Sequence, residues 1–310
     1  MNGKEKILIT GGLGNLGSWL SIFFSDTYDV YVLSKNISIS LESSYTLIQA
    51  DITNIDEVNL KLDLEFDYCI HTASYNEYFH ENYAKDALLI NSLGTRNLVE
   101  VLKNKNLKNF IYISTFHVYG SSSGFIREDT NLYPVNDYAS THLFAEYYLK
   151  QFYKTDNFPF VIFRLTNSYG SPKSIKSTKW YLVLNDLVKS AYENNKIILK
   201  SNGKSKRDFI WMGDVCSVIE ESLHMAPDME NIYNLSSGMT YSILDLANKV
   251  REVYNKRYNK NIDISVNQDD RMIYPELTVD NSKLGQFISM KFNNKLYDEI
   301  EKIFNLLEKN

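Results

Sequence analysis

The sequence predicts an α/β fold, a doubly wound parallel sheet followed by a smaller C-terminal α/β lobe. Three observations carry that expectation. Short apolar runs recur through the first half without strict alternation, as in strands covered on both faces. Segments of helical periodicity lie between them, so the chain reads as successive βαβ units. A glycine-rich turn separates the first strand from the first helix.

The expected strands, in order, are "KILIT" (6–10), "DVYVLS" (29–34), "YTLIQA" (45–50), "FDYCIH" (66–71), "NFIYIS" (109–114) and "FVIFRL" (160–165). Each is rich in Ile, Val, Phe and Tyr, residues that fit a pleated, buried surface. Helices are expected at "NLGSWLSIFFSD" and "LGTRNLVEVLKNKN". After about residue 170 the rhythm changes. "KWYLVLNDLVKSAYENN" reads as one helix, followed by a strand at "KIILK", a turn at "SNGKSKRDF", and helices at "SILDLANKVREVYNK" and "NKLYDEIEKIFNLLEK". The expected division is 1–170 for the large domain and 171–310 mainly for the lobe, with about 208–235 returning to the large domain. No internal repeat or low-complexity tract stands out.

Bulk properties narrow the function classes. A chain of 310 residues with 44% hydrophobic and 23% charged residues can bury a sizeable core. Its net charge of −5 argues against nucleic-acid binding, which needs a basic face. Two cysteines, Cys69 and Cys216, fall in apolar segments and are expected as buried thiols of a reducing cytosol. The N-terminus runs straight into a strand with no visible signal peptide. No apolar run approaches the ~20 residues of a membrane span. A cytoplasmic location is therefore expected.

"ITGGLGNLGSWL" places Gly11, Gly12, Gly14 and Gly17 between a strand and a helix. Glycines there permit a tight turn and let backbone N–H groups approach a pyrophosphate at the helix N-terminus. This is the pattern of a Rossmann-type dinucleotide site, and Gly11, Gly14, Leu16 and Gly17 are expected against the cofactor. The second strand ends at Ser34 and Lys35. Ser34 suits the ribose hydroxyl of NAD, whereas Lys35 would suit the 2′-phosphate of NADP. No arginine stands nearby to grip a phosphate bidentately, so NAD is expected and NADP stays open. Asp51, with Ile52 after it, can accept from the adenine amino group or cap the following turn.

Further segments carry a family resemblance. "TGGLGNLG", "HTAS" (71–74), "INSLGTRNLVE", "ISTFHVYG" (113–120), "RLTNSYGSP" (164–172), "GKSKRDFIWMGDV" (203–215) and "DDRMIYPELTVDNSKL" (269–284) occur in that order. Together with "YASTH" (138–142) they resemble the motifs of the extended short-chain dehydrogenase/reductase family, in its NAD-dependent nucleotide-sugar epimerase, dehydratase and dehydrogenase group. The resemblance implies a nucleotide-diphosphate sugar held between the lobes, its ring over a nicotinamide. It implies catalytic roles for Thr115 and Tyr138, with His142 where the family's YxxxK motif carries lysine. Thr72, Ala73 and Asn91 are added on the cofactor side, where Tyr138 and His142 also belong. On the substrate side it implies Ser74, Phe116, His117, Asn167, Arg207 and Arg271, the two arginines forking onto diphosphate oxygens. A homodimer through helices holding residues 85–104 and 138–154 is implied as well. No metal is expected.

Two departures from the family pattern bear on chemistry. A tyrosine titrates near pKa 10 when free, and lysine's permanent charge normally depresses it; histidine is usually neutral at pH 7. Each unit of lost depression costs about tenfold in ionised tyrosine. The sequence thus admits a slow or specialised enzyme, an enzyme whose tyrosine is activated some other way, or a cofactor-binding sensor or scaffold. The second departure is Phe116–His117 where the 4,6-dehydratases carry Asp–Glu, which disfavours dehydration. His117 could act as acid or base at a neighbouring carbon, or simply wall the pocket. Trp180 in "SPKSIKSTKWY" could meet the base or sugar, or pack at a helix start. The expected activity is hydride transfer at sugar C4, as 4-dehydrogenase or 4-epimerase, with a 4-keto-sugar reductase as the alternative. An Asn-, Lys-, Ile- and Tyr-rich composition with five prolines suggests an AT-rich bacterium and capsule or other surface-glycan biosynthesis.

Overall fold

The structure is a computed structural model that describes residues 3–41 and 43–309. Seven parallel strands form one sheet: β1 Lys6–Thr10, β2 Asp29–Ser34, β3 Thr46–Gln49, β4 Tyr68–His71, β5 Asn109–Thr115, β6 Val161–Leu165 and β7 Ile232–Leu235. Their order is β3-β2-β1-β4-β5-β6-β7, and each neighbouring pair is parallel. The six strands read from the sequence all form. The seventh, at the sheet edge, comes from beyond residue 170, outside the run of alternating strands and helices.

Both faces of the sheet are covered, which explains why the strands do not alternate. Ile7 and Ile9 face one layer, with Leu20 and Phe24 of helix α1 (Asn15–Phe24) and residues 212–223. Leu8, Leu33 and Cys69 face the other, with Val58 of α2 (Ile55–Lys61) and Leu98 and Leu102 near the end of a long helical stretch. Both cysteines are buried and unpaired. The long stretch comprises α3 (Tyr83–Ala87), a π-helical segment Leu88–Gly94 and α4 (Thr95–Leu102). Helix α5 (Asp137–Asp156) packs beside it, capped by the Asn136 side chain, which accepts from Ala139 N.

The lobe has its own core beneath α6 (Val183–Asn194), α8 (Ile243–Tyr258) and α9 (Leu296–Glu308). Helix α7 (Met212–Ser222) instead contributes to the large sheet's core. One expected helix is broken. "KWYLVLND" forms a 3-10 turn, Lys179–Tyr181, after which Leu182 is extended (φ −66°, ψ 141°) and α6 begins. That break matters for the site.

The sheet's strand order reverses between β1 and β4, where a crevice opens at the carboxyl ends of the strands. The register sets Thr10 beside His71 and Thr115 beside Leu165 at that end.

Candidate active site

Two cavities meet over the crevice. One, of about 440 Å³, runs along the glycine loop; the other, of about 510 Å³, lies between sheet and lobe. Tyr138 lines both, together with Asn15, Asn76, Ile113, Leu165 and Tyr181. The two cavities therefore adjoin at Tyr138.

The first cavity is bounded by Gly11, Gly14, Leu16, Gly17, Ser34, Lys35, Asp51, Ile52, Thr72, Ala73, Ser74, Tyr138 and His142. Gly11 has φ +66°, and a Cβ there would sit 2.7 Å from the Ala73 backbone. A Cβ on Gly17 would collide with the Gly11 carbonyl oxygen. Helix α1 starts at Gly14 with no side-chain cap, so its first N–H groups point into the loop as an anion site. Gly17→Ala is expected to abolish nucleotide binding while lowering stability. Calorimetric titration with NAD checks this, and retained affinity in the alanine variant would exclude the tight-turn explanation.

At the adenosine end Lys35 Nζ lies 2.7 Å from Asp51 Oδ2. Asp51 Oδ1 also accepts from Thr53 N and Oγ1, so this residue both lines the cavity and caps the turn. Burial alone would raise the Asp51 carboxyl's pKa; hydrogen bonds from Lys35 and Thr53 overcome it and hold it low. Lys35 is thereby matched to a carboxylate rather than presented bare to a 2′-phosphate, which fits NAD.

Asn91 does not line either cavity. Its amide is spent bracing the chain after β4: Oδ1 accepts from Tyr75 N at 2.7 Å, and Nδ2 donates to Tyr75 O and Thr141 Oγ1. It shapes the cavity wall from behind instead of touching a cofactor.

Tyr138 is the second residue of α5. Burial raises its pKa, while the hydroxyls of Thr115 and Ser74 favour the ionised form. Thr115 closes β5 and accepts from His117 N at 3.2 Å, which starts the turn Phe116–Tyr119. His142 is 2% exposed one turn along from Tyr138. Its Nδ1 is 2.7 Å from Tyr112 Oη and its Nε2 is 3.1 Å from Ser74 Oγ. Burial, with smaller pushes from His71 and His117, draws its pKa down to about 3. The ring is therefore neutral, with both nitrogens engaged by protein hydroxyls, and cannot stand in for the charge of lysine.

His71 is in the same condition, its pKa lowered to about 3 by burial. An unfolded histidine takes its proton near pH 6.5. Above that pH neither ring contributes; as pH falls from about 6.5 toward about 3, the unfolded chain binds protons that the folded one refuses, and stability is lost. About 2 kcal/mol should go between pH 6.5 and 5.5 from the two rings together. Thermal unfolding against pH reads this slope, and His142→Gln should remove about half of it. An unaltered slope would assign the acid sensitivity elsewhere.

The second cavity takes His117, Asn167 and Arg207 from the expected substrate residues, and Thr115 and Tyr138 from the catalytic ones. A parallel pairing sets the strand Lys206–Trp211 beside Asn167–Tyr169, and Asn167 Nδ2 donates to Asp208 O at 3.1 Å. Arg207 makes no ion pair among the described residues, and burial lowers its pKa. A half-buried, unpaired guanidinium at a cavity wall calls for an anion. Burial and the nearby Arg207 also lower the pKa of His117.

Three expected substrate contacts fall elsewhere. Phe116 is buried in a satellite core with Val118, Leu143 and Val279, because three residues per turn rotate its side chain about a third of a turn away from that of His117. Ser74 lines the nucleotide cavity rather than the substrate one. Arg271 is exposed in a separate groove with Lys204, Asp270 and Tyr274, so the two arginines do not converge. Its segment leaves the lobe's core between the strands Asp263–Val266 and Leu277–Val279, where Asn202 donates to Asp270 and to the Met272 carbonyl and holds it at that groove.

The sequence alone does not point to Asn15, Asn76 or Tyr181, and it offers Lys179 only as one of the lysines that "SPKSIKSTKWY" (171–181) adds to the anion end of the substrate pocket. Asn15 stands inside the glycine motif at the junction of the cavities, and its buried Oδ1 has no hydrogen-bond partner among the described residues. An orphaned acceptor of this kind fits a ligand hydroxyl or amide. Lys179 and Tyr181 were hidden inside a stretch that reads as uninterrupted helix. Trp180 packs in the lobe, its indole donating to Ile175 O at 3.2 Å.

Residues 7–236 match the model of the NAD dependent epimerase/dehydratase family. The chain belongs to that family. Its cofactor is NAD, in keeping with the glycine loop and the Lys35–Asp51 pair. Among similar curated proteins, a dTDP-D-glucose 4,6-dehydratase from Dictyostelium discoideum is 29% identical over 81% of this chain, and the match spans 63% of that relative's length. A dTDP-L-rhamnose 4-epimerase from Burkholderia thailandensis is 24% identical, covering 81% of each chain. Among solved structures, a UDP-N-acetylglucosamine 4-epimerase from Methanobrevibacter ruminantium M1, in complex with UDP-N-acetylmuramic acid, superposes with a TM-score of 0.85 at 22% identity, over 99% of both chains. This NAD-dependent family thus includes epimerases and dehydratases of nucleotide sugars among the relatives of this chain.

Proposed function

We propose that this family member is an NAD-dependent oxidoreductase of a nucleotide-diphosphate sugar, working at the sugar's C4 hydroxyl as a 4-epimerase or 4-dehydrogenase. The observation that carries the reading is Tyr138 at the junction of the nucleotide and substrate cavities, with Thr115 beside it. NAD, when bound, supplies the hydride acceptor. The chain's own part is to bind and to handle one proton. Arg207 holds the diphosphate, and Thr115 and Tyr138 bond the C4 oxygen. Ionised Tyr138 takes the hydroxyl proton as the carbon gives up hydride, and returns it if the ketone is re-reduced.

Dehydration is the less favoured reaction in this reading, although several relatives are named as dehydratases. No Asp or Glu lines the substrate cavity among the described residues, and Phe116 and His117 supply no carboxylate pair. Neutral His142 favours a slow enzyme. The experiment is to release and identify any bound nucleotide, then add a panel of nucleotide sugars while following absorbance at 340 nm and product stereochemistry. Reduction or inversion at C4 with one sugar supports the reading. Intact NAD binding without either, across the panel, makes the chain a binding protein; consumption of NADH only with keto sugars makes it a reductase.

We also propose a homodimer in the cytoplasm of a bacterium that makes surface glycans. Support comes from Leu88, Phe144 and Tyr147, which are 51%, 52% and 52% exposed on the helices bearing residues 83–102 and 137–156. No helix among the described residues is long and apolar enough to cross a membrane. Sedimentation should give twice the chain mass, and Phe144→Asp should shift it to the monomer. A monomeric native protein would refute the dimer.

A further inference from the structure

Tyr138 needs a cation, and the residue one helical turn away cannot be one. The broken helix start supplies a candidate from the opposite wall. Because the chain turns through Lys179–Tyr181 and then straightens at Leu182, Lys179 and Tyr181 point into the cavity that Tyr138 and His142 line. Lys179 is ion-paired with Glu77, and its ammonium donates to Tyr181 Oη at 3.0 Å. Both members of the pair are largely shielded, at 21% and 16% side-chain exposure. Lys179 lines the cavity and Glu77 does not, so the lysine is the member of the pair that stands on the cavity wall.

We propose that Lys179 is the cation that activates Tyr138, taking over from outside the helix the role left vacant at His142. The proposal rests on the acid–base role given to Tyr138 above. Burial alone would pull the lysine's pKa down, but the Glu77 carboxylate and the Tyr181 hydroxyl that accepts from the ammonium hold it up, so it stays charged. Its field in turn works against the burial that raises the Tyr138 pKa. The other groups facing Tyr138 carry no net charge at neutral pH: Thr115 and Tyr112 from β5, His117 from the following turn, Ser74 after β4, His142 from its own helix, and Tyr181. Arg207 acts at one remove, beside His117. In the reaction the sugar hydroxyl's proton passes to the Tyr138 oxygen, and Lys179 keeps its own proton throughout. Lys179 is thus a positioning and charge-supplying residue.

The test reads Tyr138 directly. Trifluorotyrosine placed at position 138 titrates within the protein's stable range and is followed by fluorine NMR, with and without NAD. Lys179→Met should move the midpoint upward, cutting the ionised fraction about tenfold at a fixed pH below the midpoint. Lys179→Arg should restore most of the shift, and Glu77→Gln alone should move the midpoint down. If Lys179→Met does not fold because Glu77 is left unpaired, Glu77→Gln/Lys179→Gln is compared with Glu77→Gln in the same way. Equal midpoints with and without the charge at 179 would overturn the proposal. Sugar turnover at 340 nm is scored separately, so failure of the enzymatic reading and failure of the Lys179 assignment are distinguishable.

Discussion

Tyr138→Phe should lower hydride transfer about 10²- to 10⁴-fold, the range that a positioned acid–base group contributes. The substitution removes one oxygen and keeps the ring, which meets His142 edge-on at 4.5 Å between centroids and His117 at 6.3 Å. Packing at the start of α5 is therefore retained, and the helix cap at Asn136 is untouched. NAD affinity should change little, because the substitution leaves the glycine loop and the Lys35–Asp51 pair of that cavity unaltered. Single-turnover reduction of bound NAD, measured beside NAD affinity, separates the two. A phenylalanine variant within tenfold of the native rate would move the acid–base role to another group, with His117 the first to test.

Arg164→Met should cost about 3–5 kcal/mol of stability, the usual consequence of stranding one member of a buried ion pair. Arg164 and Glu146 are 2% and 1% exposed. The guanidinium reaches Glu146 Oε2 at 2.8 Å and Oε1 at 3.2 Å, then Tyr119 Oη at 3.0 Å and Glu128 O at 3.2 Å. Glu146 also accepts from Ser114 Oγ at 2.6 Å. This network ties β6 to α5, to Ser114 beside Thr115 at the end of β5, and to the turn that carries His117, so loss of the arginine should disturb catalysis as well as folding. Denaturant unfolding measures the first effect. Glu146→Gln/Arg164→Met should be less destabilised than Arg164→Met, because no unpaired charge remains. If the double variant is the weaker, stranded charge is not the reason for the loss.

Much of the fold was legible because its physics is local. Both-sided burial makes β1 to β6 continuous apolar runs, and the glycine loop announces itself through positions where a Cβ cannot fit. The nucleotide wall from Gly11 to Ala73 follows directly from those strands, since its residues sit at strand ends or just beyond. Legibility failed where a residue's role depends on what lies opposite. Asn91 has the right position for a cofactor contact, yet its amide is consumed by Tyr75 and Thr141. Phe116 and His117 are adjacent in sequence and part company at a 3-10 turn. Arg207 and Arg271 carry the same chemistry, and only the first has a strand that delivers it to the cavity.

Architecture, the dinucleotide loop and the replacement of lysine by His142 can all be read along the chain, because periodicity, glycine sterics and residue identity are properties of its short stretches. The electrostatics of Tyr138 emerge only once the chain is folded. Burial sets the histidine's charge, and burial is a sum over elements distant in sequence. It leaves His142 neutral between Tyr112 and Ser74, while a break before α6 brings Lys179 and its Glu77 partner to the same cavity from the other side.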